Sequence, residues 1–207
     1  MPASPLDFIF SNELLFKTAL ALLRNSSLGN LTNMHEKLQS NINKLTSEIK
    51  NLNLNKSKII RTRQKLDLLN KNVLVDINNT LINVNGSQIA AYRAVLNDLD
   101  NSVTDVSLLN TVGLKVNSVI QDVLADNYTN VMKRNSVEYV SLKLDRVLNL
   151  YDLKINNLTR KVEDLKDLRT RIQSALSIKD AFSAKGLILN KVIFLDNKSI
   201  RNILMSV

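Results

Sequence analysis

The chain of 207 residues has no cysteine, no tryptophan, two prolines, four glycines and one histidine. Each scarcity removes a class of protein. Without cysteine there is no disulfide, no thiolate nucleophile and no cysteine metal site. The redox compartment is not reported by that absence. Tight turns draw on glycine and proline, so so few of them cannot supply a sandwich, a barrel or an α/β fold. The glycine-bearing nucleotide and nucleophile motifs, G-x-x-x-x-G-K-[ST], G-x-G-x-x-G and G-x-S-x-G, do not occur. One histidine cannot build a histidine metal cluster. His35 stands on a heptad position near a helix start and reads as a packed or capping residue. No window approaches the roughly 18 unbroken apolar residues of a membrane-spanning helix. The first residues carry no basic leader, and Asp7 and Glu13 interrupt the apolar stretch that follows. Neither a span nor a secretory signal peptide is expected, which suits an intracellular or virion setting. No residue constellation suggests catalysis, so no enzyme, cofactor or metal is expected.

What the sequence does have is a seven-residue period. One row reads Leu38, Leu45, Leu52, Ile59, Leu66, Val73, and its companion His35, Ile42, Ile49, Lys56, Arg63, Asn70, Ile77, Val84. A second, weaker segment carries Tyr92, Leu99, Val106, Gly113, Ile120 beside Leu96, Val103, Asn110, Asn117, Leu124, Val131. A third carries Leu144, Tyr151, Leu158, Leu165, Ile172 beside Leu148, Ile155, Val162, Arg169, Leu176. Repeats sustained over four or more heptads predict coiled-coil packing. The fold class is therefore all-α: an elongated antiparallel helical hairpin or three-helix coiled-coil bundle. Three long helices, about 31–85, 87–133 and 137–179, form one bundle spanning 30–179. Gly86 suits a left-handed helix end and Ser87 a new N-cap. Gly113 predicts a kink, and the polar run Asn127–Ser136 the next turn. Residues 1–29 hold a short amphipathic helix: Ser4 caps it, Pro5 opens it, and Ser26, Ser27 and Gly29 end it. The tail 180–207 is apolar and a candidate for partner docking, and 187–195 reads equally as a strand, which would need a partner edge, or a final helix.

Net charge is +9, with 28 lysines and arginines against 19 acids. From Leu31 to Asn85 there are nine basic residues against four acids, from Gly86 to Met132 two against five, and from Lys133 to Lys179 eleven against six. The acidic second helix is expected between its basic neighbours, so part of the excess is internal complementarity. No acid occurs between Glu48 and Asp67, where Lys56, Lys58, Arg61, Arg63 and Lys65 crowd together. With Asn70 they are the candidate contacts for an anionic partner or for helix register. Lys56, Arg63 and Asn70 fall on the seam itself, where burial without a partner is costly. Either the facing helix peels away there, or an acid from the second helix or another subunit reaches in and fixes register.

The first expected function is a non-enzymatic structural or assembly protein: a coiled-coil building block joined to protein partners as a homo-oligomer or hetero-complex. Asparagine is very common, 28 in all. That flavour of an AT-rich genome suits a bacteriophage or viral virion component. A second reading is a peripheral membrane module. Three long helices, basic character and a Phe/Leu-rich leading helix resemble BAR-domain proteins in layout alone, with no shared motif. Phe8, Leu15, Phe16, Leu22 and Leu23 would then be the membrane or partner docking residues. A third reading is a non-specific nucleic-acid packing protein. The lack of interleaved aromatics disfavours base stacking.

Overall fold

The structure, a computed structural model, describes residues 5–71, 86–102, 111–115, 118–119, 121–122 and 130–206. These residues contain no strand, and the chain is an all-α bundle. The helices are α1 (Pro5–Ser11), α2 (Glu13–Asn25), α3 (Leu28–Lys71), α4 (Gly86–Ser102), α5 (Asn130–Ala184), α6 (Leu189–Val192) and α7 (Asn197–Met205). Helices α3 and α5 pack against each other. Among the described residues, no helix is long and apolar enough to cross a membrane. The chain divides into two compact units. One joins residues 1–47 with 159–207, the other is 48–158, and α3 and α5 contribute to both.

In the 48–158 unit, α3 and α5 run antiparallel. Pairing descends along α5 as it climbs α3: Glu48 with Lys154, Lys56 with Asp152, Arg63 with Asp145. The predicted row Leu52, Ile59, Leu66 is buried, and so are Leu144 and Tyr151 opposite. Helix α4 closes the third side with Tyr92 and Leu96. That third side widens the buried face of α5. Val140 and Val147 are fully buried beside the predicted row, whereas Leu148 is only partly so. A helix facing two neighbours needs a broader apolar stripe than a two-helix seam. Gly113 lies at the predicted break with φ of +70°. Lys143 fastens this turn to α5 by donating to the Val112 carbonyl at 2.7 Å.

Several boundaries differ from expectation. Helix α5 begins at Asn130 and runs through Lys133–Ser136, where a turn was expected. Those polar residues cost only tenths of a kcal/mol each in a helix, less than the burial of Val137 and Val140 returns. Gly86 opens α4, so it is no left-handed end, and Ser87 is inside the helix. Gly29 is likewise inside α3; Ser27 precedes that helix, its hydroxyl accepting from Asn30 N at 3.4 Å. The expected 72–85 continuation of the first long helix lies outside the described residues.

The other unit gathers both chain ends. The single leading helix expected from the sequence is two helices, broken at Asn12. The Asn12 side chain accepts from Leu15 N at 3.0 Å and so caps α2. The core here joins Leu15, Phe16, Ala19, Leu20 and Leu23 of α2 to Leu31 and Leu38 of α3 and Ile172, Ile178 and Phe182 of α5. Helix α5 stops at Gly186, φ +67°, with Leu187 N donating to Phe182 O at 3.0 Å. This is the six-to-one closure of a Schellman end, where glycine avoids the left-handed penalty. The tail then forms α6 and α7 and no strand among the described residues, its Ile193, Ile200 and Leu204 joining the same core.

Candidate functional site

The basic stretch of α3 resolves into two sets. Lys56 and Arg63, seven residues apart, stand half-buried at the edge of the seam. Lys56 Nζ lies 2.5 Å from Asp152 Oδ1, and Arg63 Nε 3.0 Å from Asp145 Oδ1. Asp145 and Asp152 are also seven residues apart, so two ion pairs recur at the heptad period with opposite chain sense. Arg63 Nε is buried without a hydrogen bond of its own, so its attraction to Asp145 is coulombic. Asp67, one turn along α3, adds a carboxylate at 3.9 Å. The second set, Lys58, Arg61 and Lys65, is exposed. Lys65 approaches Asp98 of α4 at 3.9 Å. Asn70 lies in α3, but its side chain falls outside the described residues.

This arrangement changes the charge reading. The two basic helices meet directly, and the acids that meet Lys56 and Arg63 come from the third long helix, not the second. Exposed pairs are each worth about 0–1 kcal/mol. Their effect lies in selection: the one-heptad slip that sets Arg63 opposite Asp152 leaves Lys56 facing Thr159 with no acid. Asp145 and Asp152 carried a signal the sequence reading missed, namely a period matching that of Lys56 and Arg63.

The five docking candidates part company. Leu15, Phe16 and Leu23 are buried in the unit that joins the chain ends, Leu22 is half-buried, and Phe8 is 59% exposed. Most of the apolar face of α2 is thus engaged internally. Arg24 and Arg201 fasten these helices to the tail. Arg24 donates to the carbonyls of Ile193 at 2.8 Å and Leu195 at 2.9 Å, and to Asn197 Oδ1 at 3.1 Å. Arg201 donates to the Phe10 carbonyl and stands 5.6 Å from the ring centroids of Phe10 and Phe16. Such cation–π contacts add to the aromatic packing. Two carboxylates here titrate below their ordinary range. Glu13 is lowered by its hydrogen bond to Lys17 and then by that lysine's charge. Asp196 is lowered by the hydroxyl and backbone N–H of Ser199, which favour the charged form.

The outer faces of the long helices carry a second heptad pattern. Leu54 and Leu68 on α3 are 55% and 60% exposed, with exposed Arg61 midway. Tyr139 and Leu153 on α5 are 45% and 61% exposed, with exposed Arg146 midway. No family model, curated protein or solved structure matches this chain.

Proposed function

We propose that this protein is a structural building block of a larger coiled-coil assembly, joined to further copies of itself through the outer faces of α3 and α5. The observation that carries the reading is the pair of exposed rows Leu54–Arg61–Leu68 and Tyr139–Arg146–Leu153. Two large apolar residues fourteen positions apart on each helix, two heptads, offer knobs outside the α3–α5 seam, with Tyr139 bordering the segment around Gly113 and Val119. A bacteriophage or viral particle is the setting that the asparagine-rich composition favours. A membrane role draws less support, because Leu15, Phe16 and Leu23 are engaged in a core.

Sedimentation velocity on the purified chain tests the proposal. The expected result is association that grows through the micromolar range and weakens in a Leu54→Ser/Leu68→Ser/Leu153→Ser variant. These three positions are exposed, so the variant keeps its fold, checked by circular dichroism. A chain that stays monomeric throughout overturns the reading, as does association that the variant leaves unchanged.

A further inference from the structure

His35 and Arg169 stand on the heptad rows of their helices, each with aliphatic residues next in its row. A heptad on from His35 comes Ile42; Val162 and Leu176 flank Arg169. Both polar side chains are half-buried, and both line one cavity of about 340 Å³ in the unit that joins the chain ends. A polar group drawn out of water at such a position is costly unless something engages it. The Arg169 guanidinium donates to Gln39 Oε1, and Gln39 in turn donates to Asn43 Oδ1 at 2.8 Å. A neutral amide relay thus holds the guanidinium, and further N–H donors of its five remain. Among the described residues, no carboxylate lines the cavity.

The remaining walls complete the chemistry. Gln173 and Ser177 add an amide and a hydroxyl. The hydroxyls of Thr170 and Ser174 are turned to backbone carbonyls of α5, at 2.9 and 2.8 Å. Ile9 and the ring of Phe8 form an apolar side. A planar guanidinium fork and an imidazole on one cavity, with no acid among its described lining residues, suit a carboxylate or phosphate oxyanion. An apolar wall with an exposed phenyl ring suits an organic group carried on that anion. The volume falls within the roughly 300–1,000 Å³ common for small-molecule sites.

We propose that this cavity binds a small organic oxyanion, a carboxylate or phosphate monoester, with its charged end on Arg169 and His35 and its apolar end on Phe8. The proposal stands apart from the assembly reading and is tested without it. His35 is the only histidine, so its imidazole C–H signals in a proton NMR spectrum need no assignment. The full chain is titrated at constant pH with phenyl phosphate, benzoate, inorganic phosphate and phenol. Phenyl phosphate and benzoate are expected to move the histidine signals saturably. Inorganic phosphate binds about tenfold more weakly, and phenol leaves the signals in place. Phe8→Ala brings phenyl phosphate down to the affinity of inorganic phosphate. Arg169→Gln weakens both organic anions about tenfold or more, the weight of one charge-assisted hydrogen bond. Absence of a saturable shift with both organic anions overturns the proposal. So does a response to phenol equal to that of phenyl phosphate, or organic-anion affinity untouched by Phe8→Ala. Should Arg169→Gln fail to fold, the wild-type titrations and Phe8→Ala still decide.

Discussion

Asp196 does at one residue what the tail needs to become a helix. Its carboxylate accepts from Ser199 N at 2.9 Å and from the Ser199 hydroxyl at 2.5 Å, satisfying an unpaired donor of the first turn of α7. Both bonds favour the ionised form, so the folded-state pKa lies below the unfolded value. A depressed carboxylate contributes stability that is full above the ordinary aspartate value near ~3.9 and is lost as pH falls through the lower folded value. Asp196→Ala is therefore expected to lower the thermal midpoint at neutral pH, with the gap to wild type closing in the acid range below that value. Melts at a series of pH values check this; a gap independent of pH would contradict the cap. The cap was not among the expectations, although the sequence carries its signal. Asp196 precedes Ser199 by three, and Ile200, Ile203 and Leu204 follow at helical spacing. Arg24 was not legible in the same way. Its carbonyl partners lie some 170 positions away, and no local pattern announces a contact made by bringing two chain ends together.

At the scale of the element, the antiparallel seam of α3 and α5 was readable where one row carried it. Leu52, Ile59 and Leu66 repeat every seven residues and are buried. The start of α5 at Asn130, the break at Asn12 and the burial of Val140 and Val147 were not readable. Each depends on which neighbour covers the helix, and a heptad written for two helices does not encode a third. The polar interruption at Lys56 and Arg63 now has a physical reason, since their partners Asp152 and Asp145 share their spacing. Reversing the charges on α3 with Lys56→Glu/Arg63→Glu sets acid against acid in both pairs. A loss of about 1–2 kcal/mol is expected, from two pairs of about 0–1 kcal/mol each turned from attraction to repulsion. Adding Asp152→Lys/Asp145→Lys restores the pairs with opposite polarity and recovers most of that loss. Urea unfolding at low salt measures both steps. Rescue that fails, with helicity unchanged, would show that these contacts do not set the register.

At the scale of the whole molecule, the net charge of +9 bears on how copies meet. Some of the basic residues are matched internally, as Lys56, Arg63, Lys65 and Lys154 are by acids of other helices. Others, Lys58, Arg61 and Arg146 among them, stand exposed, the two arginines between the apolar residues of the outer faces. Two such surfaces brought together gain from apolar burial and lose from like-charge repulsion. Added salt acts on these terms in opposite ways: it screens the repulsion over a Debye length and leaves the apolar contact in place. Self-association through Leu54, Leu68, Tyr139 and Leu153 is therefore expected to hold or strengthen as sodium chloride rises from about 50 to about 500 mM. Binding to a nucleic acid through the exposed lysines and arginines predicts the reverse, since each neutralised phosphate releases a counterion and affinity falls steeply with salt. Sedimentation velocity of the chain alone at the two salt concentrations, beside filter binding to duplex DNA over the same range, separates the two. Assemblies that dissolve at high salt would assign the contact to charge and remove the outer apolar rows from the account of how this protein assembles.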